Sequence, residues 1–313
     1  MPGLWACTPH NEAMNAPARL TLTGFATLLL IAFMMGANHV AARFAFNHGV
    51  NVVTAVSFRS GVTALVVLLI LWQQGVSWRL NARHQRYLPL IGALIAVQSV
   101  CLYSSVARLP VALALLVFNT YPMAAALWAR LLYAHRPERR VVLAMPVMLL
   151  GLALALDVLG AASGLGAAAQ WSQMGLGVAF ALGASATFGL AMVLTQYEAG
   201  DLDGRLRTFT TMAQVGVWAS AAASLGLGWQ LPVDATGWVG LGMLTFLYGT
   251  AFTIMFTVLP KLGVVGNSPI MNVEPIFSLA LAWALLGQAI APMQLLGAAL
   301  VVGTVLVLGL LKR

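Results

Sequence analysis

The sequence predicts an all-α integral membrane protein, with ten transmembrane helices arranged as two inverted five-helix repeats. Three observations carry this expectation. Hydrophobic residues make up 61% of the 313, charged residues only 8%, and the mean hydropathy is +0.90. Soluble domains hold roughly 45–50% apolar and about 25% charged residues. The apolar residues fall into runs close to the ~20 that one bilayer span requires. One short phrase also occurs twice, Asn119-Thr120-Tyr121-Pro122 and Asn272-Val273-Glu274-Pro275, 153 positions apart. Each copy follows a basic residue, Arg108 or Lys261, by the same interval. A repeat at about half the chain length, in a chain this apolar, points to two homologous membrane halves with a solute site between them.

Backbone groups in hydrocarbon must be satisfied internally, so the apolar runs become helices. Strand alternation is absent, which excludes a β-barrel. The first run, 20–46, is too long for the core of a signal peptide and lacks a cleavage site, so it reads as a retained span. The second, 52–73, carries Arg59-Ser60-Gly61. The third and fourth, 87–107 and 111–132, flank Arg108, and the fourth holds the first copy of the phrase. The fifth, 139–157, contains Met145 to Gly151. The connection 158–173 is rich in Gly, Ala and Ser and marks the boundary between halves. The sixth, 174–196, contains Gly183, Ala184, Ser185 and Ala186, small residues that allow close helix approach. The seventh, 207–228, carries Gln214-Val215-Gly216, which matches Arg59-Ser60-Gly61. The eighth is 237–259, and the ninth, 268–288, holds the second copy of the phrase. The tenth, 293–311, carries Gly297 to Gly303, which matches Met145 to Gly151. The organisation is thus a cytoplasmic segment 1–19, a first repeat 20–157, a linker 158–173 and a second repeat 174–311. Residues 1–18 read as disordered, and Met14 fits as a start as well as Met1.

Basic residues set orientation. Thirteen of the 16 lie at one set of helix ends: Arg19, Arg79, Arg83, Arg86, Arg130, Arg136, Arg139, Arg140, Arg205, Arg207, Lys261, Lys312 and Arg313. The other set holds Arg108 with Asp157 and Asp234. Both termini are therefore expected in the cytoplasm. Five helices per half is an odd number, so the second half enters the membrane in the opposite direction. Inversion also explains why the equivalent residues Arg108 and Lys261 fall on opposite sides.

The net charge of +8 does not indicate nucleic acid, because the basic residues sit in short loops without interleaved aromatics. Cys7 and Cys101 form no disulfide framework. There is no Walker A sequence, no nucleophile elbow and no metal-ligand spacing. No cofactor, metal or enzyme activity is expected.

Several stretches resemble one family. Gly36-Ala37-Asn38-His39-Val40-Ala41-Ala42-Arg43 is similar to the first-helix signature of the EamA family of the drug/metabolite transporter superfamily. Phe58-Arg59 resembles its second-helix opening, residues 274–288 its ninth helix, and Gln294 to Ala299 the start of its tenth. The resemblance covers nearly all of 20–311 and implies ten helices, cytoplasmic termini and a central cavity between two repeats. It implies export of amino acids or other small metabolites. The chain departs from the family at Gly287-Gln288, where Gly-Glu is usual, and at Ala134-His135-Arg136, with Glu138 three residues beyond His135.

Glu274 is the one carboxylate read within a span, about six residues into the ninth helix. A charge there costs about 2.5–3.5 kcal/mol on insertion scales, which marks it as a functional candidate. It suits a substrate amino group or a proton, and the alternative is a hydrogen bond between helices. Pro122 and Pro275 are read as helix kinks. Asn119 and Asn272 either line the site, bridge helices or cap the carbonyl freed by proline. Tyr121 is the counterpart of Glu274. Asn38 and His39 sit mid-span, and His39 is also a candidate proton relay. Arg43 and Arg59 suit a substrate carboxylate, or snorkel to the interface. Trp128, Trp283, Tyr103, Tyr248 and Phe118 are candidate cavity walls.

Taken with what the resemblance implies, these residues lead to the expectation of a secondary transporter of the bacterial inner membrane that exports small polar metabolites, most of all amino acids, by alternating access. The alternative is efflux of lipophilic cations or drugs. A remote one is a membrane sensor or intramembrane enzyme. Its partners are a small solute and the bilayer. Proton coupling, substrate, direction and the choice between monomer and homodimer stay open at this level.

Overall fold

The computed structural model describes residues 22–135, 139–157, 159–160, 164, 166–257, 273–288 and 291–310. Among them it is helical throughout, with no strand. The helices are α1 (Leu22–Asn47), α2 (Val52–Gln73), α3 (Ala82–Val106), α4 (Val111–Phe118), α5 (Tyr121–Tyr133), α6 (Arg139–Ala155), α7 (Ala167–Glu198), α8 (Gly204–Ala222), α9 (Ala235–Thr257), α10 (Glu274–Leu286) and α11 (Pro292–Leu310). Six spans are long and apolar enough to cross a membrane: α1, α2, α3, α7, most of α9, and α4 with α5 taken as the single stretch Val111–Tyr133. Large apolar side chains point outward along them, Leu69 and Leu131 among them. That outward surface suits lipid and would be a liability in water.

Three details depart from the sequence expectation. The fourth run is not one helix but two, interrupted at Asn119-Thr120. The sixth helix begins at Ala167, seven residues before the expected 174, so Gly166 (φ 76°) rather than Gln173 precedes it. Glu274 does not lie six residues inside its helix but is the first residue of α10.

Packing between helices comes in matched sets under exchange of the halves. α1 lies on α9 as α7 lies on α3, α1 on α10 as α7 on α5, and α2 on α9 as α8 on α3. The self-matched pairs are α2 with α8 and α6 with α11. Small residues make these approaches possible. A Cβ on Gly36 of α1 would lie 2.8 Å from Ser278 Oγ and 3.0 Å from the Glu274 carbonyl of α10. The residues 153 positions away repeat this, since a Cβ on Gly189 would lie 2.7 Å from Ala125 N. Gly61 and Gly216, matched in sequence, meet at the crossing of α2 and α8. Gly151 meets Gly297 where α6 crosses α11, whereas Gly303, its partner in the sequence match, has open space around it.

Helix ends repeat as well. Ala134 (φ 52°) and Gly287 (φ 64°) take the left-handed conformation after α5 and α10. Behind them His135 N donates to the Ala129 carbonyl and Gln288 N to the Ala282 carbonyl, both at 3.2 Å. This is the Schellman closure of a helix C-terminus. Glycine fits it without strain and alanine pays for the positive φ. Gln288 Oε1 also accepts Val111 N at 3.1 Å, so the end of α10 caps the start of α4.

Candidate functional site

The interruption between α4 and α5 follows from Pro122. Proline is tolerated in the first turn of a helix, where no N–H donor is needed, and not in its interior. Pro122 and Pro275 are each the second residue of a helix, so they start helices rather than kink them. Tyr121 and Glu274 then become first residues, in matched positions. A carboxylate at a helix N-terminus is favoured by the exposed N–H groups and the helix dipole.

Glu274 meets α1 there. Its Oε1 lies 3.2 Å from His39 Nε2, with His39 4% and Glu274 22% exposed. The next residue, Asn38, opens a second limb. Tyr103 Oη donates to Asn38 Oδ1 at 2.9 Å. Arg59 Nη1 donates to Tyr103 Oη at 3.1 Å and Nη2 to Ser99 Oγ at 2.9 Å. Ser99 in turn donates to Gln98 Oε1 at 3.3 Å. The guanidinium carbon of Arg59 stacks 3.8 Å from the Tyr248 ring centroid and 4.7 Å from that of Tyr103. The His39 and Tyr103 rings lie 5.6 Å apart and join the limbs. The cluster therefore draws on α1, α2, α3, α9 and α10.

Its electrostatics are unusual. Arg59 is 4% exposed, and no carboxylate among the described residues forms an ion pair with it. A buried charge without a counter-charge carries a large desolvation cost, and hydrogen bonds to neutral groups offset only part of it. Arg59 Nε, Asn38 Nδ2 and His39 Nδ1 are buried without a hydrogen-bond partner among the described residues. Arg59 Nε and Asn38 Nδ2 are donors whatever the protonation of His39, and unsatisfied donors around a buried cation favour an incoming anionic oxygen.

Other expected site residues lie elsewhere. Arg43, four residues from His39, turns to α3, where Nη1 donates to the Val106 carbonyl at 2.7 Å. It caps a helix end there and does not share the cluster of Arg59. Asn119 Nδ2 donates to the Leu115 carbonyl of its own helix at 2.8 Å. That carbonyl already accepts the Asn119 backbone N–H, so Asn119 strengthens the end of α4 and does not cap the Phe118 carbonyl that Pro122 frees. Tyr121 packs with Phe118 and Phe188, at ring distances of 5.6 and 5.0 Å. Asn272 lies outside the described residues. Trp283 is 68% exposed, which removes it from any cavity wall. Trp128 Nε1 donates to the Ala186 carbonyl and ties α5 to α7.

Ser99 was not legible as a site residue, although Ser99 and Tyr103, four apart in an apolar span, share a helix face. A cavity of about 300 Å³ opens between α4, α10 and α11, lined by Leu116, Pro275, Leu279 and Val302 among others. Gln294 is its one polar side-chain lining residue. It is too apolar for a polar solute, and none of the cluster side chains line it. Among the described residues no group of three His, Cys, Asp or Glu is placed to hold a metal.

Two matched blocks of apolar helices, long enough in six spans to cross a membrane, meet around a buried polar cluster, an arrangement that suits a membrane transporter. The chain belongs to the EamA-like transporter family, whose model matches residues 22–156 and 175–310. No curated protein matches it. A solved structure described only as "Crystal structure of protein" is similar in fold, with a TM-score of 0.58 at 19% identity. That match covers 95% of this chain and 100% of the other.

Proposed function

We propose that this protein is a secondary transporter that exports small polar metabolites, amino acids above all, across the bacterial inner membrane. Its two repeats, 20–157 and 174–311, are inverted and rock about the cluster, with both termini in the cytoplasm. The observation that carries the reading is Arg59, a buried guanidinium without a carboxylate, in the same cluster as a carboxylate at a helix N-terminus. An amino acid supplies both missing charges. Its carboxylate meets Arg59, its ammonium group meets Glu274, and Asn38 and Tyr121 orient it, with Asn119 shaping the end of α4. Arg43 keeps the α3 terminus in place.

The His39–Glu274 pair is the point at which a proton would couple. A proton antiporter responds to an imposed pH gradient, and a uniporter follows only the solute gradient. Efflux of lipophilic cations is the competing reading, supported by Glu274 and the Phe118–Tyr121–Phe188 rings. The buried cation of Arg59 opposes it.

Solute counterflow tests the proposal. Purified protein in liposomes loaded with mixed amino acids should transiently accumulate one labelled amino acid, and Glu274→Gln should abolish that accumulation. Normal transport by Glu274→Gln removes the site assignment. No accumulation of any amino acid by folded protein removes the substrate class.

A further inference from the structure

We propose that two His–carboxylate hydrogen bonds, one at each end of the helix bundle, are matched clasps that hold the two repeats together and open in turn. The inference rests on the alternating-access reading above.

The first pair joins the α1–α2 loop to the start of α9. His48 Nδ1 lies 2.7 Å from Asp234 Oδ2. The backbones are joined as well, since Val233 N donates to the His48 carbonyl at 3.1 Å. The second pair joins the α7–α8 loop to the start of α3. His84 Nε2 lies 3.0 Å from Asp201 Oδ1, and Arg83 Nη2 reaches the same oxygen at 2.8 Å. Each pair therefore links one repeat to the other.

The two are the same device by the internal register. Asp201 is 153 positions after His48, and Asp234 is 153 positions after Asn81, the residue that caps α3. Asn81 Oδ1 accepts His84 N at 2.8 Å, and Asp234 Oδ1 accepts Gly237 N, also at 2.8 Å. Gly237 is the counterpart of His84, and a Cβ there would lie 2.8 Å from His48 Cβ. The same loop thus meets the same helix start in both places. The histidine stands on the loop in one and on the helix in the other, so the pairing recurs although the residues have changed sides.

They also sit at opposite ends of the bundle. α2 starts at Val52, next to His48, with Asn51 Nδ2 donating to the Gly228 carbonyl that follows α8. It ends by Gln74, whose side chain accepts Arg205 at the start of α8. At 1.5 Å per residue the 22 residues of α2 hold the pairs on the order of 33 Å apart. The Asp201 carboxyl is held below the usual range, chiefly by the His84 hydrogen bond. The Asp234 carboxyl is held low by Gly237 N–H and then by His48. Both are therefore ionised at neutral pH. Asp201 and Asp234 are each about half exposed, and a contact open to water on one side is weak, which suits a contact that must break in every cycle.

The test is electron–electron distance measurement on full-length protein in liposomes, in a Cys7→Ser, Cys101→Ser background. One spin-label pair at Asn47→Cys and Thr236→Cys reports the first end, and one at Gln85→Cys and Gln196→Cys reports the second. His48→Ala should add a longer-distance population at the first end only, and His84→Ala at the second only. The exchange His48→Asp with Asp234→His should restore the short distance, because it returns a histidine and a carboxylate to the same two positions. Unchanged distances in both single variants overturn the proposal. So does an equal change at both ends, which marks loss of stability, and so does failure of the exchange to restore the distance. The readout needs no substrate. Face-specific opening in protein without counterflow keeps the clasps and removes the amino-acid reading.

Discussion

Arg59→Met separates a binding group from a structural one. In the folded protein Arg59 donates two hydrogen bonds, to Tyr103 and Ser99, and stacks on Tyr248. Hydrogen bonds from charged groups contribute about 1.5–3 kcal/mol each, and a desolvated cation–π contact about 2 kcal/mol. Against these stands a desolvation penalty of several kcal/mol for a buried ion. The terms are of similar size, so a methionine of comparable length should leave stability within about 1–2 kcal/mol of wild type. Tyr103 keeps its bond to Asn38 in the variant. Binding has no such compensation. Two bonds to a substrate carboxylate, together about 3–6 kcal/mol, amount to about 10²- to 10⁴-fold in affinity. Thermal unfolding in detergent should therefore show a midpoint shifted no further than about 1–2 kcal/mol of stability implies, while counterflow falls by at least about 100-fold. Wild-type counterflow by Arg59→Met would refute the assignment of the carboxylate. A fall of stability well beyond that range would refute the energetic argument.

Three further outcomes are expected. Gly36→Val drives its side chain into Ser278 and the Glu274 carbonyl; it should cost about 1–3 kcal/mol and depress counterflow more than Gly189→Val, whose contact is with Ala124 and Ala125. Gln288→Leu strands the Val111 N–H, and thermal melts should show a loss of about 1–3 kcal/mol. Asp203→Ala removes the cap of α8 and its bonds to Arg205, for a loss of about 1 kcal/mol. Arg205 holds the Asp203 carboxyl below its usual value. This contribution is complete above the unfolded carboxylate pKa of about 3.9 and disappears as pH falls through the lower folded value. Wild type and Asp203→Ala should therefore differ in melting temperature at neutral pH and converge in strong acid.

The helices were legible because hydrocarbon leaves the backbone no alternative, and the repeat because a phrase with Asn and Pro stands out in an apolar chain. The interruption at Asn119-Thr120 was half legible. Pro122 announces it, but whether proline bends one helix or begins another depends on what packs against the freed carbonyl. Glu274 and His39 were named from sequence as isolated polar residues, and their pairing depends on the Gly36 contact that brings α10 onto α1. Arg43 and Arg59 were equivalent in sequence. Rotation about their own helices sends one to the end of α3 and the other into the cluster, and apolar helices with little amphipathic bias do not encode that rotation. Ser99 went unseen for the same reason.

The glycine contacts have a mechanical consequence. Where Gly61 meets Gly216 and Gly151 meets Gly297, backbone lies directly against backbone. Interlocked leucines would have to jump rotamers before one helix could turn on another. A smooth contact needs no such jump, so under the proposed rocking these crossings offer little friction. The pace of that proposed motion is then set at the rim, by the contacts that must be undone there and by the solute that has to arrive.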